Sequence, residues 1–165
     1  MSGRRQTAAL AGGAAVSGLV AYAVFAVTTR ALGAEAAAPV SVLWTWWGFA
    51  GAAFSFPLQH WVTRTVSAHG ERAVRSALPR VGLAVLGLSA VTGGLAWLAR
   101  EPLFHRSDGW FPLMVALVTV GSALIGVARG GLGARERYAA VGASLVTENM
   151  VRLVGVVALM LADVE

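Results

Sequence analysis

The chain has no cysteine and no lysine among its 165 residues. Without cysteine it can form neither disulfides nor thiolate metal sites. Charged residues are scarce as well, at 13% of the sequence, which is about half the usual share of a soluble domain. Hydrophobic residues make up 57% and the mean hydropathy is +0.69. This composition excludes a disordered chain and favours a membrane protein over a water-soluble one.

The net charge of +5 comes from 13 arginines, which are scattered along the chain and mostly flank its apolar stretches. Basic residues in such positions typically contact lipid headgroups and set the orientation of a membrane protein. A nucleic-acid-binding domain would instead gather its basic residues on one face. We therefore expect membrane lipid, and no nucleic acid, as the partner of these arginines.

Five apolar stretches are long enough to cross a bilayer as helices, which takes about 20 residues each. Continuous apolar runs favour helices over the alternating strands of a barrel. The sequence thus predicts an all-α, polytopic transmembrane helix bundle that forms one domain over residues 1–165. Pro57 lies within the second span and predicts a kink there. The predicted spans cover about 7–29, 37–63, 81–99, 110–128 and 138–162.

The arginines are distributed unevenly over the connections between these spans. With the N-terminus inside, nine lie in inner segments and three, Arg30, Arg100 and Arg106, in outer ones. This excess follows the positive-inside rule and predicts a multi-pass cell-membrane protein with a cytoplasmic N-terminus. The alternative for the first span is a cleavable signal peptide ending near Ala23. We favour an uncleaved span because its apolar run continues to Thr29.

Small residues recur at four-residue spacing within the predicted spans, as they do in close helix–helix contacts in membranes. An alanine- and glycine-rich composition also produces such spacings by chance. Tryptophans such as Trp46 and Trp97 are predicted either to lie at the membrane interface or to fill gaps between helices. The recurring sets are Gly13/Ser17, Ala14/Gly18 and Ser122/Gly126/Gly130.

Glu148 and Arg152 are charged residues inside an apolar stretch, four positions apart on the predicted last helix. Residues at this spacing share a helix face and can pair. Each charge in mid-membrane costs about 2.5–3.5 kcal/mol, so neither side chain should face lipid. The two residues either line a polar cavity or lock one helix against another.

Signatures of catalysis are missing from the sequence. Its three histidines lack the spacing of metal ligands, and it has no phosphate-binding glycine loop and no serine nucleophile motif. We therefore expect no enzyme, and no catalytic residue, metal or cofactor. In the alternative of a membrane enzyme, His105 and Asp108 of one predicted loop would carry the activity.

Several short motifs, in order along the chain, carry a resemblance to a known family. The first predicted span ends in Arg30-Ala31-Leu32-Gly33-Ala34-Glu35, and the second in Gln59-His60-Trp61-Val62-Thr63-Arg64. Arg129-Gly130 and Arg137-Tyr138 then precede Glu148-Asn149-x-x-Arg152. These motifs resemble those of the polysaccharide and lipid-linked oligosaccharide flippases of the multidrug/oligosaccharidyl-lipid/polysaccharide exporter superfamily.

The resemblance implies most of one lobe of a two-lobed transporter that moves a polyprenyl-diphosphate-linked sugar across the membrane. It implies that Arg152, with Glu148 and Asn149, lines a cavity, since arginine binds phosphate oxygens bidentately. Arg30 and Arg64 match motif positions, and either face that cavity or anchor helix ends. The family has many more spans, so the chain is expected to be partial or truncated, completed by a second half or by copies of itself. The alternative is a non-transporting integral membrane subunit of an envelope assembly complex.

Overall fold

A computed structural model describes residues 3–161, with side chains for 6–33, 35, 37–154 and 157. All regular secondary structure in these residues is helical, which confirms the predicted all-α class. The predicted last span ends at Ala162, outside the described residues. The elements are α1 (Gly3–Ala50), a π-helical segment (Gly51–Ser55), α2 (Phe56–His69), α3 (Glu71–Leu98), α4 (Arg100–Phe104), α5 (Trp110–Ala134) and α6 (Tyr138–Leu161).

Three helical stretches among the described residues are long and apolar enough to cross a membrane. They are Gln6–Gly33 within α1, Glu71–Leu98 and Trp110–Ala134. These stretches contain most of the first, third and fourth predicted spans, and they support a membrane protein. The predicted span 37–63 is divided among the end of α1, the π-helical segment and α2.

The kink predicted at Pro57 takes the form of a local change in helical winding. Proline has no N–H to donate to the carbonyl group four residues before it. The π-helical segment directly precedes α2, and the Phe56 N–H donates to the carbonyl oxygen of Gly51, five residues back. This wider winding lets the helical backbone continue past the proline.

Gly33 and Gly70 interrupt the helical backbone in the same way. Gly33 has φ 73° and ψ 175°, and Gly70 has φ 78° and ψ 171°. This combination of angles is open to glycine and strongly unfavourable to other residues. The two connections between the first three predicted spans therefore shrink to one non-helical residue each. Their arginines suggested loops, yet arginine is a good helix former.

The described chain forms two compact units. The first unit pairs the first part of α1 with α6, and the second unit covers Ala38–Ala134. In the second unit, α5 packs against α2, α3 and the π-helical segment. An apolar cluster at one end of this unit contains Phe104, whose ring stacks on that of Phe111 at 5.3 Å between centroids.

The tryptophans differ in their surroundings. The Trp46 indole N–H lies 3.2 Å from the Thr119 hydroxyl oxygen and 3.3 Å from the Val115 carbonyl oxygen, so Trp46 fills a contact with α5. Trp97 and Trp110 are exposed, in keeping with residues at a membrane interface.

Candidate functional site

The first unit is held together where the backbones of α1 and α6 meet over glycine. A Cβ atom added at Gly13 would lie 2.8 Å from the Gly142 Cα, and one added at Gly142 would lie 2.9 Å from the Ala9 carbonyl oxygen. The Gly13/Ser17 pair therefore forms a helix contact, as predicted. The Ala14/Gly18 pair does not take part, since a Cβ at Gly18 would meet nothing within 4 Å among the described residues.

Four polar side chains form a network beside this contact. The Ser17 hydroxyl donates to the Leu145 carbonyl oxygen at 3.1 Å and accepts from the Asn149 side-chain amide at 2.7 Å. The Asn149 amide oxygen accepts from Nη1 of Arg152 at 2.7 Å, and Nη2 of Arg152 donates to Oε1 of Glu148. The network thus links α1 to the ion pair predicted on α6.

The ion pair is sheltered from solvent. The side chains of Arg152 and Glu148 are 17% and 19% exposed, and Ser17 and Asn149 are buried. Charge-assisted hydrogen bonds are stronger than neutral ones, and a low-dielectric environment strengthens them further. Contacts through both terminal nitrogens hold the Arg152 guanidinium in one orientation. The site can therefore offer the positioned N–H donors of a guanidinium to an anionic group, or fasten α1 to α6.

The predicted site residues are only partly brought together. Glu148, Asn149 and Arg152 form one cluster, whereas Arg30 is exposed on α1 and Arg64 is exposed on α2 of the second unit. Sequence reasoning treated Ser17 only as a small packing residue. The missed signal was its hydroxyl, which a buried amide such as Asn149 needs as a partner.

The second unit contains a comparable contact without charges. A Cβ at Gly126 would lie 2.5 Å from the Ser55 carbonyl oxygen, and one at Gly130 would lie 2.6 Å from the Val62 Cβ. The Ser55 hydroxyl donates to the Ser122 carbonyl oxygen at 2.7 Å. The predicted Ser122/Gly126/Gly130 set is therefore a helix contact between α5 and the α2 region.

Arg129 is buried within α5, at 8% exposed, although the sequence placed it in a connection. The helix continues to Ala134, so the turn between α5 and α6 is reduced to residues 135–137. A run of small residues after Arg129 allows this continuation, because Gly130 and Gly133 pack against α2.

His105 and Asp108, the residues weighed for a membrane enzyme, lie between α4 and α5. His105 is exposed and has φ 54°. Asp108 accepts from Nε of Arg106 at 2.6 Å and from the Trp110 N–H at 3.1 Å. The hydrogen bond from Arg106, followed by that from Trp110, lowers the pKa of Asp108. Its carboxylate therefore orders the loop and the start of α5.

Comparison of the chain with protein-family models, with curated proteins and with solved structures found no significant match. The resemblance to flippases therefore depends on the sequence motifs alone.

Proposed function

We propose that the chain belongs to a membrane transporter of the flippase type, which moves a lipid-linked oligosaccharide between leaflets. The observation that supports this function is the sheltered Glu148–Arg152 pair on α6, hydrogen-bonded to Asn149. Ionisable residues within apolar membrane helices are costly, and they typically mark substrate pathways. The flipped headgroup carries a diphosphate, which a positioned guanidinium can bind through two oxygens.

In this proposal the chain crosses the cell membrane five times, with its N-terminus in the cytoplasm. The spans are the first part of α1, the stretch from the end of α1 through α2, and then α3, α5 and α6. The chain supplies most of one lobe, and the other is supplied by a second half of the transporter or a second copy. Transport needs no cofactor and no covalent step.

The residues have distinct roles in this transporter. Arg152 binds the diphosphate of the polyprenyl-linked sugar, while Glu148 and Asn149 fix the orientation of its guanidinium. The polyprenyl tail stays in lipid. Arg30 and Arg64 are both exposed and take no part in this cluster.

Transport can be tested in vesicles that contain the full chain and a fluorescent polyprenyl-diphosphate sugar. Dithionite added outside reports the label that reaches the outer leaflet. We expect the wild-type chain to move the label faster than protein-free vesicles do.

Exchange of the two charges, Glu148→Arg with Arg152→Glu, keeps the ion pair but moves the guanidinium. We expect the exchange to slow transport about tenfold or more, the factor that about 1.4 kcal/mol of lost binding gives.

A non-transporting membrane subunit is the second candidate function. It is favoured by the hydrogen bonds that run from Ser17 through Asn149 to Arg152, because they fasten α1 to α6 within one unit. In that case the wild-type chain moves no label, and the charge exchange lowers the unfolding midpoint, because it removes the hydrogen bond from Arg152 to the Asn149 amide oxygen. Absence of wild-type transport from both vesicles of this chain alone and vesicles of its complete complex would contradict the flippase proposal.

A further inference from the structure

Helix α2 has two chemically different faces. One face packs on α5, with Gln59 and Val62 against Gly130 and with the Thr63 hydroxyl 3.2 Å from the Gly130 carbonyl oxygen. The opposite face is an open depression whose lining includes Pro57, His60, Trp61, Arg64, Thr65 and His69. His60 and Arg64 are one helical turn apart on this face, and both are exposed.

The positive charge continues beyond this depression into α3. Arg72, Arg75 and Arg80 are exposed on its first turns, in a stretch expected to be a loop. Between Ala36 and Arg100 the sequence contains a single acidic residue, Glu71, which pairs with Arg75 at 3.6 Å. The bend at Gly70 therefore carries an excess of arginine on helical surfaces.

Exposed apolar residues that suit lipid lie close to these basic residues along both helices. Phe56 at the start of α2 is 57% exposed, and Leu83, on the first apolar turn of α3, is 73% exposed. A basic surface that adjoins exposed apolar residues matches the depth at which headgroups meet acyl chains. Trp61 adds an indole, which prefers that depth.

We propose that the exposed face of α2 around His60, Trp61 and Arg64, continued by the arginines of α3, binds the phosphate headgroup of an anionic membrane phospholipid. The Arg64 guanidinium binds two phosphate oxygens, His60 and Thr65 offer further polar contacts, and Trp61 packs on the glycerol region. A basic surface for nucleic acid would lack the adjoining apolar residues, so charge and apolar continuity together favour lipid.

The test is native mass spectrometry of the full chain from mixed micelles of phosphatidylglycerol and phosphatidylcholine. We expect selective retention of phosphatidylglycerol. Arg64→Gln should reduce that retention about five-fold, the factor that corresponds to about 1 kcal/mol per basic residue at a membrane surface. Arg64→Lys keeps the charge and should lose less. The matched control is Arg137→Gln, which removes an exposed arginine from the turn between α5 and α6.

Four outcomes would overturn the proposal. Equal retention of the two lipids would show that the surface does not recognise anionic headgroups. Equal losses of phosphatidylglycerol retention in Arg64→Gln and Arg137→Gln would mean that retention depends only on the net charge of the chain. Displacement of the lipid by inorganic phosphate at the same concentration would indicate a site for free phosphate, while binding of an RNA oligonucleotide in its place would indicate a nucleic-acid surface. Unfolding midpoints of both variants in lipid-free micelles should match the wild type, because both side chains are exposed.

Discussion

Both units contain a close contact between helix backbones, but the polar groups beside the two contacts differ. In the first unit, Gly13 and Gly142 bring two backbones together, and a polar network that includes an ion pair lies beside them. In the second unit, Gly126 and Gly130 do the same, and the hydrogen bond beside them joins Ser55 to a carbonyl oxygen. Both contacts rely on small residues, as helix contacts in membranes commonly do.

The neutral contact shows that close helix packing in this chain does not require charge. Placing Glu148 and Arg152 in an apolar helix costs free energy that helix packing does not require. We therefore expect the two charges to serve a purpose other than packing. This difference is the reason for assigning a functional role to the first unit's network.

The largest effect is expected from alanine at the contact glycines. Gly126→Ala places a methyl group against the Ser55 backbone, and Gly13→Ala places one against Gly142. Because backbone cannot move aside easily, we expect each to lower the free energy of unfolding by about 3 kcal/mol, at the upper end for overpacked sites. Unfolding by denaturant in micelles, followed by circular dichroism, measures the change.

The matched controls are Gly121→Ala on α5 and Gly18→Ala on α1, where an added Cβ would meet nothing within 4 Å among the described residues. Alanine in an open helical position should stabilise by about 0.5–1 kcal/mol. If all four variants shift the unfolding midpoint in the same direction, Gly13 and Gly126 do not lie at close helix contacts.

The second prediction concerns the ion pair of the first unit. Arg152→Leu leaves the Glu148 charge without its guanidinium, and we expect a loss of about 2 kcal/mol of stability, below the 3–5 kcal/mol of fully buried pairs. Adding Glu148→Leu should restore most of it, because the charges are then removed together. Unfolding free energies of the four members of this double-mutant cycle measure the coupling. A coupling near zero would contradict a sheltered pair.

The same comparison shows what could be predicted from the sequence. The all-α class, the Glu148–Arg152 pair and the contact of Gly126 with another helix follow from apolar runs and spacing. The sequence could not tell Gly13 from Gly18 as the contact residue, since both begin or end a small-residue pair and only the rotation of α1 separates them. The sequence also suggested a loop at Arg64, which in fact lies on a continuous helix. A single glycine, Gly70, is enough to end that helix, so no long loop is needed.

The third prediction compares the two serines that hold the contacts. Ser55→Ala removes one neutral hydrogen bond, and we expect a loss of about 0.6 kcal/mol, the average for such bonds in membranes. Ser17→Ala also removes the nearer acceptor of the buried Asn149 amide, at 2.7 Å, and leaves it only the Leu145 carbonyl oxygen at 3.4 Å, so its loss should be about 1 kcal/mol or more. Unfolding in micelles measures both. Equal losses would mean that the Leu145 carbonyl oxygen suffices as the acceptor of the Asn149 amide.

The smallest effect on stability is expected from a change in an exposed ion pair. The second unit has the pair Arg106–Asp108 in an exposed loop, whereas Glu148–Arg152 is sheltered. Because folding lowers the pKa of Asp108, the contribution of its carboxylate is present at neutral pH and is lost as pH falls through that lowered pKa, below about 4. Asp108→Asn keeps an oxygen for the Trp110 N–H but removes the charge. We expect a slightly lower unfolding midpoint at pH 7, a difference that high salt abolishes and that shrinks as the pH falls below about 4. A difference that does not shrink on acidification would mean that the charge of Asp108 is not what orders this loop.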